Sequence, residues 1–352
     1  LLFLFCITTA FSQGEANNWY FGNNAGIQFL EDGSVLPLNG GQMTTNEGCS
    51  TISDPDGNLL FYTDGRNVWD KNHIIMPNGN YSMGTGLNGD PSSTQSGIIV
   101  PKKGDPNIYY IFTVDEPHHK NAGAYPDQFT GTYIETGGVT GTVPTDDDGF
   151  NNGFNYSVVD LSLTGTNGSI GDITTRNVQL FTYDPTNIDE AKYKCSEKIT
   201  AVKNASNTGF WVITHFLDKF YAFEVTADGV NETPVETTIT PLINTLGYRR
   251  NAIGYLKASP NGEKLAIAHN QNGTVEGGAS NNGSVYLYDF DNATGTVSNA
   301  ILIKDNVNPY SIEFSAETKK LYAAYGSSGA GQLFQYNLEE NNIPASEVFI
   351  SS

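Results

Sequence analysis

The sequence predicts an all-β fold, and within that class a β-propeller of four-stranded blades, on three observations. The first is composition: 352 residues with 38 Gly and 15 Pro, 12% aromatic and 16% charged, in short apolar runs broken by Asn, Asp and Gly. The second is a recurring strand, polar turn, strand pattern, seen in "ISDPDGNLLFYT" (52–63), "KASPNGEKLAIA" (257–268) and "EFSAETKKLYAA" (313–324). Weaker copies stand at 100–112 and 202–213. The third is a second hairpin after most copies, as in "KFYAFEVTADGVNETPVETTI" from Lys219 and "SVYLYDFDNATGTVSNAILI" from Ser284. Two hairpins make four strands, and a four-stranded unit repeated at this period is how a propeller covers each sheet with its neighbour.

Along the chain, "LLFLFCITTAFSQ" is too short to span a bilayer and ends in small-x-small order at Ala10-Phe11-Ser12. It reads as a signal peptide over 1–12, truncated at its start, which makes the chain an exported one. Residues 13–352 are then the propeller. "NWYFGNNAGIQFL" (18–30) and "SVLPL" (34–38) are expected to serve as closing strands of the last blade. In "SDPDGNLLFYTDG" (53–65), Asp54, Asp56 and Asn58 alternate like calcium ligands, but Leu59 and Gly65 fall where that loop needs Gly and Glu. A hairpin turn is the better reading.

First strands begin near Cys49, Gly97, Lys198, Tyr255 and Ser311, spaced by 48, 101, 57 and 56 residues. The doubled interval reads as an insertion over about 114–153, because "NYSVVDLSLTG" (155–165) and "VQLFTYD" (178–184) supply the second hairpin of the unit at Gly97. About five blades are therefore expected, as an incomplete seven-bladed ring. A β-sandwich is the runner-up, but it leaves the repetition unexplained.

Lys+Arg 18 against Asp+Glu 38 gives a formal charge of -20, which repels phosphate backbones and anionic membranes. Nucleic acid is excluded as an expected partner, and no apolar stretch after the signal is long enough for a membrane helix. With Cys6 in the signal, Cys49 and Cys195 either pair or remain buried thiols.

"NNWYFGNNAGIQFL", "TNEGCSTISDPDGNLLFYTDG", "YYIFTVD", "YSVVDLSL", "SEKITAV", "GYLKASPNGEKLAIA", "DFDNATGTVSN" and "IEFSAETKKLYAA" together carry a resemblance. The chain from about Asn17 resembles the N-terminal propeller region of large multidomain surface proteins of Bacteroidota. Members of that family commonly end in a type B sorting domain read by the type IX secretion system and are associated with gliding motility. The resemblance implies export across both membranes, surface attachment or release, two further blades, and the secretion machinery as a partner through a C-terminal domain that this sequence does not contain. It supplies no catalytic residues.

In antiparallel blades the loops entering each first strand and those joining the second to the third share one face. The entries supply Glu47, Glu197, Lys198, Arg249, Arg250, Asn251 and Tyr310 as candidate binding residues around the channel mouth. The insertion adds Asp115, Glu116, His118 and His119, groups able to ligate a transition metal or titrate near neutral pH. Their spacing matches no zinc site. Calcium at Asp146, Asp147 and Asp148 is conceivable without a complete motif, so no cofactor is expected. His73, His215 and His269 read as hydrogen-bonded structural histidines. The expected function is a non-catalytic module for adhesion or for binding a glycan or protein at the cell surface. The alternative is a metal-dependent carbohydrate-active or lactone-hydrolysing enzyme. A sialidase box is absent, because Ser53 and Asp56 stand one residue too far apart for S-x-D-x-G.

Overall fold

The computed structural model describes residues 14–117, 132–134, 140–142, 152–187, 190, 193–245, 249–274, 282–325 and 331–352. They build a six-blade β-propeller of antiparallel sheets. The first blade holds β1 (Asn18–Phe21), β2 (Ala25–Phe29) and β3 (Val35–Leu38), and the second holds β4 (Ser50–Ser53), β5 (Leu59–Thr63) and β6 (Val68–Asp70). The third pairs β7 (Gly97–Pro101) and β8 (Ile108–Val114) with β11 (Phe154–Thr164) and β12 (Ile170–Leu180), after the short hairpin β9 (Thr132–Ile134) and β10 (Thr140–Thr142). The fourth runs β13 (Ile199–Lys203), β14 (Phe210–Phe216) and β15 (Lys219–Thr226), which pairs with both β16 (Gly229–Val230) and β17 (Val235–Thr238). The fifth is β18 (Leu256–Ala258), β19 (Lys264–His269), β20 (Gly283–Asp291) and β21 (Thr296–Val307). The sixth is β22 (Pro309–Phe314), β23 (Lys320–Tyr325), β24 (Gln332–Asn337) and β25 (Val348–Ser351). The inner strands touch in chain order, β1 to β4, β7, β13, β18 and β22, so the blades follow one another around the axis. Two facing sheets, as in a sandwich, are not what forms.

Local sequence explains the repeat. In "KLYAAY" the buried residues alternate, and Leu321, Ala323 and Tyr325 pack with Ala266, Val285 and Leu287 of the fifth blade. The Ser259–Gly262 turn is closed by Ser259, whose hydroxyl accepts from Lys264 N at 2.9 Å, while Gly262 takes φ +76°. The Asp54 turn behaves alike: its Oδ1 accepts from Asp56 N at 3.0 Å and Asn58 N at 2.8 Å. Those bonds use the carboxylate inside its own hairpin.

The blade count corrects the expected five. Residues 18–38 do not close the last blade; they form a sheet of their own, with the turn at Gly22 and Asn24 in the left-handed region. The sixth blade owns all four of its strands. The second blade stops at three because the next segment coils as Pro77–Gly79 and Tyr81–Met83, where Asn78 bonds Asp172 of the third blade at 2.9 and 2.8 Å. The insertion lies between second and third strands as expected, and its base is clamped by the Phe154 to Val114 register.

Candidate functional site

The segments entering β7, β13 and β18 meet at the channel mouth and bond to one another. Glu197 is fully buried, and its Oε2 accepts from Thr94 N at 2.9 Å and from Thr94 Oγ1 at 2.7 Å. Thr94 Oγ1 in turn accepts from Gly254 N at 3.3 Å. Gln95 bridges two blades: its Oε1 accepts from Ile199 N at 3.2 Å and Leu256 N at 2.8 Å, and its Nε2 donates to Leu256 O at 3.1 Å. Lys198 Nζ donates to the carbonyls of Ala252 and, at 2.9 Å, Ile253. Burial pushes the Glu197 carboxyl up and the Lys198 ammonium down, so each favours its neutral form more than it would in water. This hub ties three blades together; it does not present its charges to solvent.

The other candidates separate. Asn251 is buried, with Oδ1 accepting from Gly273 N at 2.9 Å and Nδ2 donating to Asn244 O and Gly273 O at 2.8 and 2.9 Å. It holds two loop segments together. Arg249 and Arg250 open a short helix, Arg249–Ala252, and Arg250 is exposed. Tyr310 lies beside Glu47 and Thr94, and burial first, then the Glu47 carboxylate, push its hydroxyl up. Glu47 itself is exposed. Asp115 and Glu116 are buried at the base of the insertion, where Asp115 Oδ2 accepts from Asn152 N at 2.5 Å. His118, His119 and Asp146 to Asp148 lie outside the described residues. Cys49 and Cys195 are free thiols rather than a pair, and burial pushes Cys49 up to about 11. Among the described residues no three His, Cys, Asp or Glu side chains are grouped to hold a metal.

Two histidines depart from expectation. His73 has its partner, with Nδ1 3.1 Å from the Tyr62 hydroxyl. His215 and His269 are buried with ring centroids 5.0 Å apart, and His215 Nε2 and both nitrogens of His269 lack hydrogen-bond partners. Desolvation, with Lys198 adding to it, lowers His215 to about 3, and desolvation holds His269 well below its ordinary value. Both rings are neutral at physiological pH. The sequence placed each at a strand end without showing that β14 and β19 bring them side by side.

Beside the hub the axis opens. Trp19, Phe21, Ile27, Glu47, Cys49 and Tyr255 line a cleft of about 540 Å³. An adjoining cleft of about 350 Å³ shares Trp19, Glu47, Cys49 and Tyr255 with it and adds Gln95, Ile199 and Lys257. Trp19 is 50% exposed, a large aromatic face open to solvent. The Tyr255 ring packs edge-on to Tyr310 with centroids 5.8 Å apart, and Lys257 Nζ sits 5.4 Å from the Tyr255 centroid while pairing with Glu313 at 2.9 Å. Trp19 and Tyr255 were not among the sequence candidates, because each stands in a strand pattern whose default is core.

No protein-family model matches the chain, and no curated protein matches it. Solved structures do resemble it. A protein from Bacteroides uniformis, provisionally assigned as a 6-phosphogluconolactonase, is 11% identical with TM-score 0.47, over 93% of this chain and 76% of that one. A similarly assigned protein from Bacteroides fragilis is 12% identical with TM-score 0.42, over 93% and 75%. The β-propeller domain of Cps50 (Swd1) from Myceliophteria thermophila is 10% identical with TM-score 0.37, over 96% and 89%.

Proposed function

We propose that this propeller is a non-catalytic binding module of an exported protein, and that it takes a glycan or a protein segment in the cleft between Trp19 and Tyr255. The observation that carries the reading is the half-exposed Trp19 face beside Phe21, Ile27 and Tyr255, with Glu47 and Lys257 along the same opening. Flat aromatic faces supply contact area at low entropic cost, and a few polar groups at the rim fix orientation. The apolar N-terminal segment and the resemblance to surface-displayed propellers support export and adhesion as the setting. Of Glu47, Glu197, Asn251 and Asn308, the acidic and amide side chains at the mouth that a metal would draw on, Glu197 and Asn251 are bonded to neighbouring blades and loops, while Glu47 lines the cleft.

The test compares the natural protein with Trp19→Ala on an array of neutral oligosaccharides and immobilised surface proteins, with lactone hydrolysis assayed on the same preparations. Retention of one ligand class that falls with Trp19→Ala supports the module. Equal retention by both forms overturns the Trp19 cleft as the site, and turnover of a lactone overturns the module in favour of the enzyme.

A further inference from the structure

The end of the channel opposite the hub has a different character. β7 and β13 are neighbouring inner strands that both start at the hub, so Pro101 and Lys203, their last residues, arrive at the far end together. The turns beyond them place Lys102, Lys103 and Lys203 around one mouth. It consists of adjoining clefts of about 690 and 670 Å³ that share Pro101, Lys203 and Phe210.

Charge is what sets this mouth apart. In a chain of formal charge -20 it carries three lysines, and the acids lining it are Glu15 and Asp105. The Asp105 carboxylate accepts from Asn107 N at 3.1 Å, inside its own turn. Lys219, Lys257, Lys264, Lys304 and Lys319 each pair with a carboxylate. Among the described residues Lys102, Lys103 and Lys203 pair with none, so their ammonium groups are free for an incoming anion. Lys103 Nζ lies 5.7 Å from the Phe210 ring centroid, which holds one charge against a flat apolar surface. Ile98 and Ala201 line the wall, and Asn207 and Asn292 stand at the rim.

We propose that this mouth binds an acidic oligosaccharide, a short chain of sugar rings carrying uronate carboxylates. Lysines are mobile point charges, suited to several carboxylates set along a chain rather than to one planar fork. Phe210 and Pro101 offer the flat surface a sugar ring packs on, and the amides match its hydroxyls. A long polyanion would run out over the negative surface, whereas a short one stays within about a Debye length, ~8–10 Å, of the three cations.

The measurement is calorimetric titration of the whole chain with trigalacturonate, at low and at physiological ionic strength, with maltotriose as the neutral control. Trigalacturonate is expected to bind, to weaken with salt, and to outcompete maltotriose. The triple variant Lys102→Gln, Lys103→Gln, Lys203→Gln should bind at least about tenfold more weakly, since each exposed ion pair contributes a modest share. All three side chains reach solvent, so the variant should melt as the natural protein does, and Lys203→Gln alone, with a smaller loss, serves if it does not. Unchanged affinity in these variants, equal affinity for maltotriose, or equal binding of duplex DNA or anionic vesicles overturns the proposal. Tyr255→Leu, in the axial cleft and outside this mouth, should leave trigalacturonate binding intact, which keeps this site separable from the axial cleft.

Discussion

The hub and the axial cleft use similar materials in opposite ways. Both lie where first strands begin, and both combine carboxyl, amide, lysine and hydroxyl or aromatic groups. In the hub, Thr94, Gln95, Glu197 and Lys198 spend their polar atoms on the backbone and side chains of adjacent blades. In the cleft, Trp19 keeps half its surface in water and Lys257 keeps an exposed partner in Glu313. Whether a polar group at a propeller mouth is structural or available depends on whether the neighbouring entry is within hydrogen-bond reach. The entries of the third, fourth and fifth blades lie within that reach of one another, whereas Trp19 of the first blade lines the cleft.

The largest effect expected from this contrast is at the hub. Glu197→Ala leaves Thr94 N and Oγ1 buried without their acceptor, and should cost about 2–4 kcal/mol of unfolding free energy, from the cost of stranding buried donors. Urea unfolding measures it, and a loss near zero would remove the hub as a structural element.

Acid sensitivity comes next. His215 is held at about 3 in the folded chain against an ordinary 6.5, so the unfolded state takes up its proton first. Its contribution to stability is complete above about pH 6.5 and is lost as pH falls toward about 3. His269 acts with the same sign. His215→Phe should therefore show a shallower fall in stability between neutral and acid pH than the natural protein. Parallel curves for the two would contradict the buried, neutral ring.

Smaller stability effects belong to the cleft. Trp19→Ala removes the Nε1–H bond to Ala16 O and the edge-on contact with Phe29, and should cost about 1–2 kcal/mol while removing ligand retention. If it unfolds the first blade instead, the exposed ring is structural. Lys257→Gln breaks the exposed pair with Glu313 and the contact of the ammonium with the Tyr255 ring, and should cost at most about 1–2 kcal/mol, less at high salt.

Much of the architecture was legible along the chain. The first strands of four later blades begin within two residues of Gly97, Lys198, Tyr255 and Ser311, because the SPNG-type turns and alternating strands that mark them are local features. The insertion was legible for the same reason. The first blade was not counted, since residues 18–38 were read as strands that close the last blade and not as a sheet of their own. The missing fourth strand of the second blade was hidden because the coil that replaces it is held by Asp172, more than ninety residues away.

For the site, the sequence named polar entry segments and misjudged their exposure. It pointed to Glu197, Lys198 and Asn251 as polar entries; Glu197 and Lys198 join in the hub, Asn251 binds two loop segments apart from it, and all three are buried because the neighbouring segments stand near. It passed over Trp19 and Tyr255, whose strand pattern says core for a covered face and ligand surface for an uncovered one.

What the sequence determined by itself is therefore the repeat: strand alternation, turn chemistry, the insertion's place between two strands, and a net charge of -20. These follow from interactions within a few residues or from simple counting. The tertiary structure alone decided the number of blades, the free state of Cys49 and Cys195, the side-by-side His215 and His269, and the gathering of Lys102, Lys103 and Lys203 at one mouth. Each depends on distances between residues far apart in the chain, and those are fixed only when sheet packs on sheet around the axis.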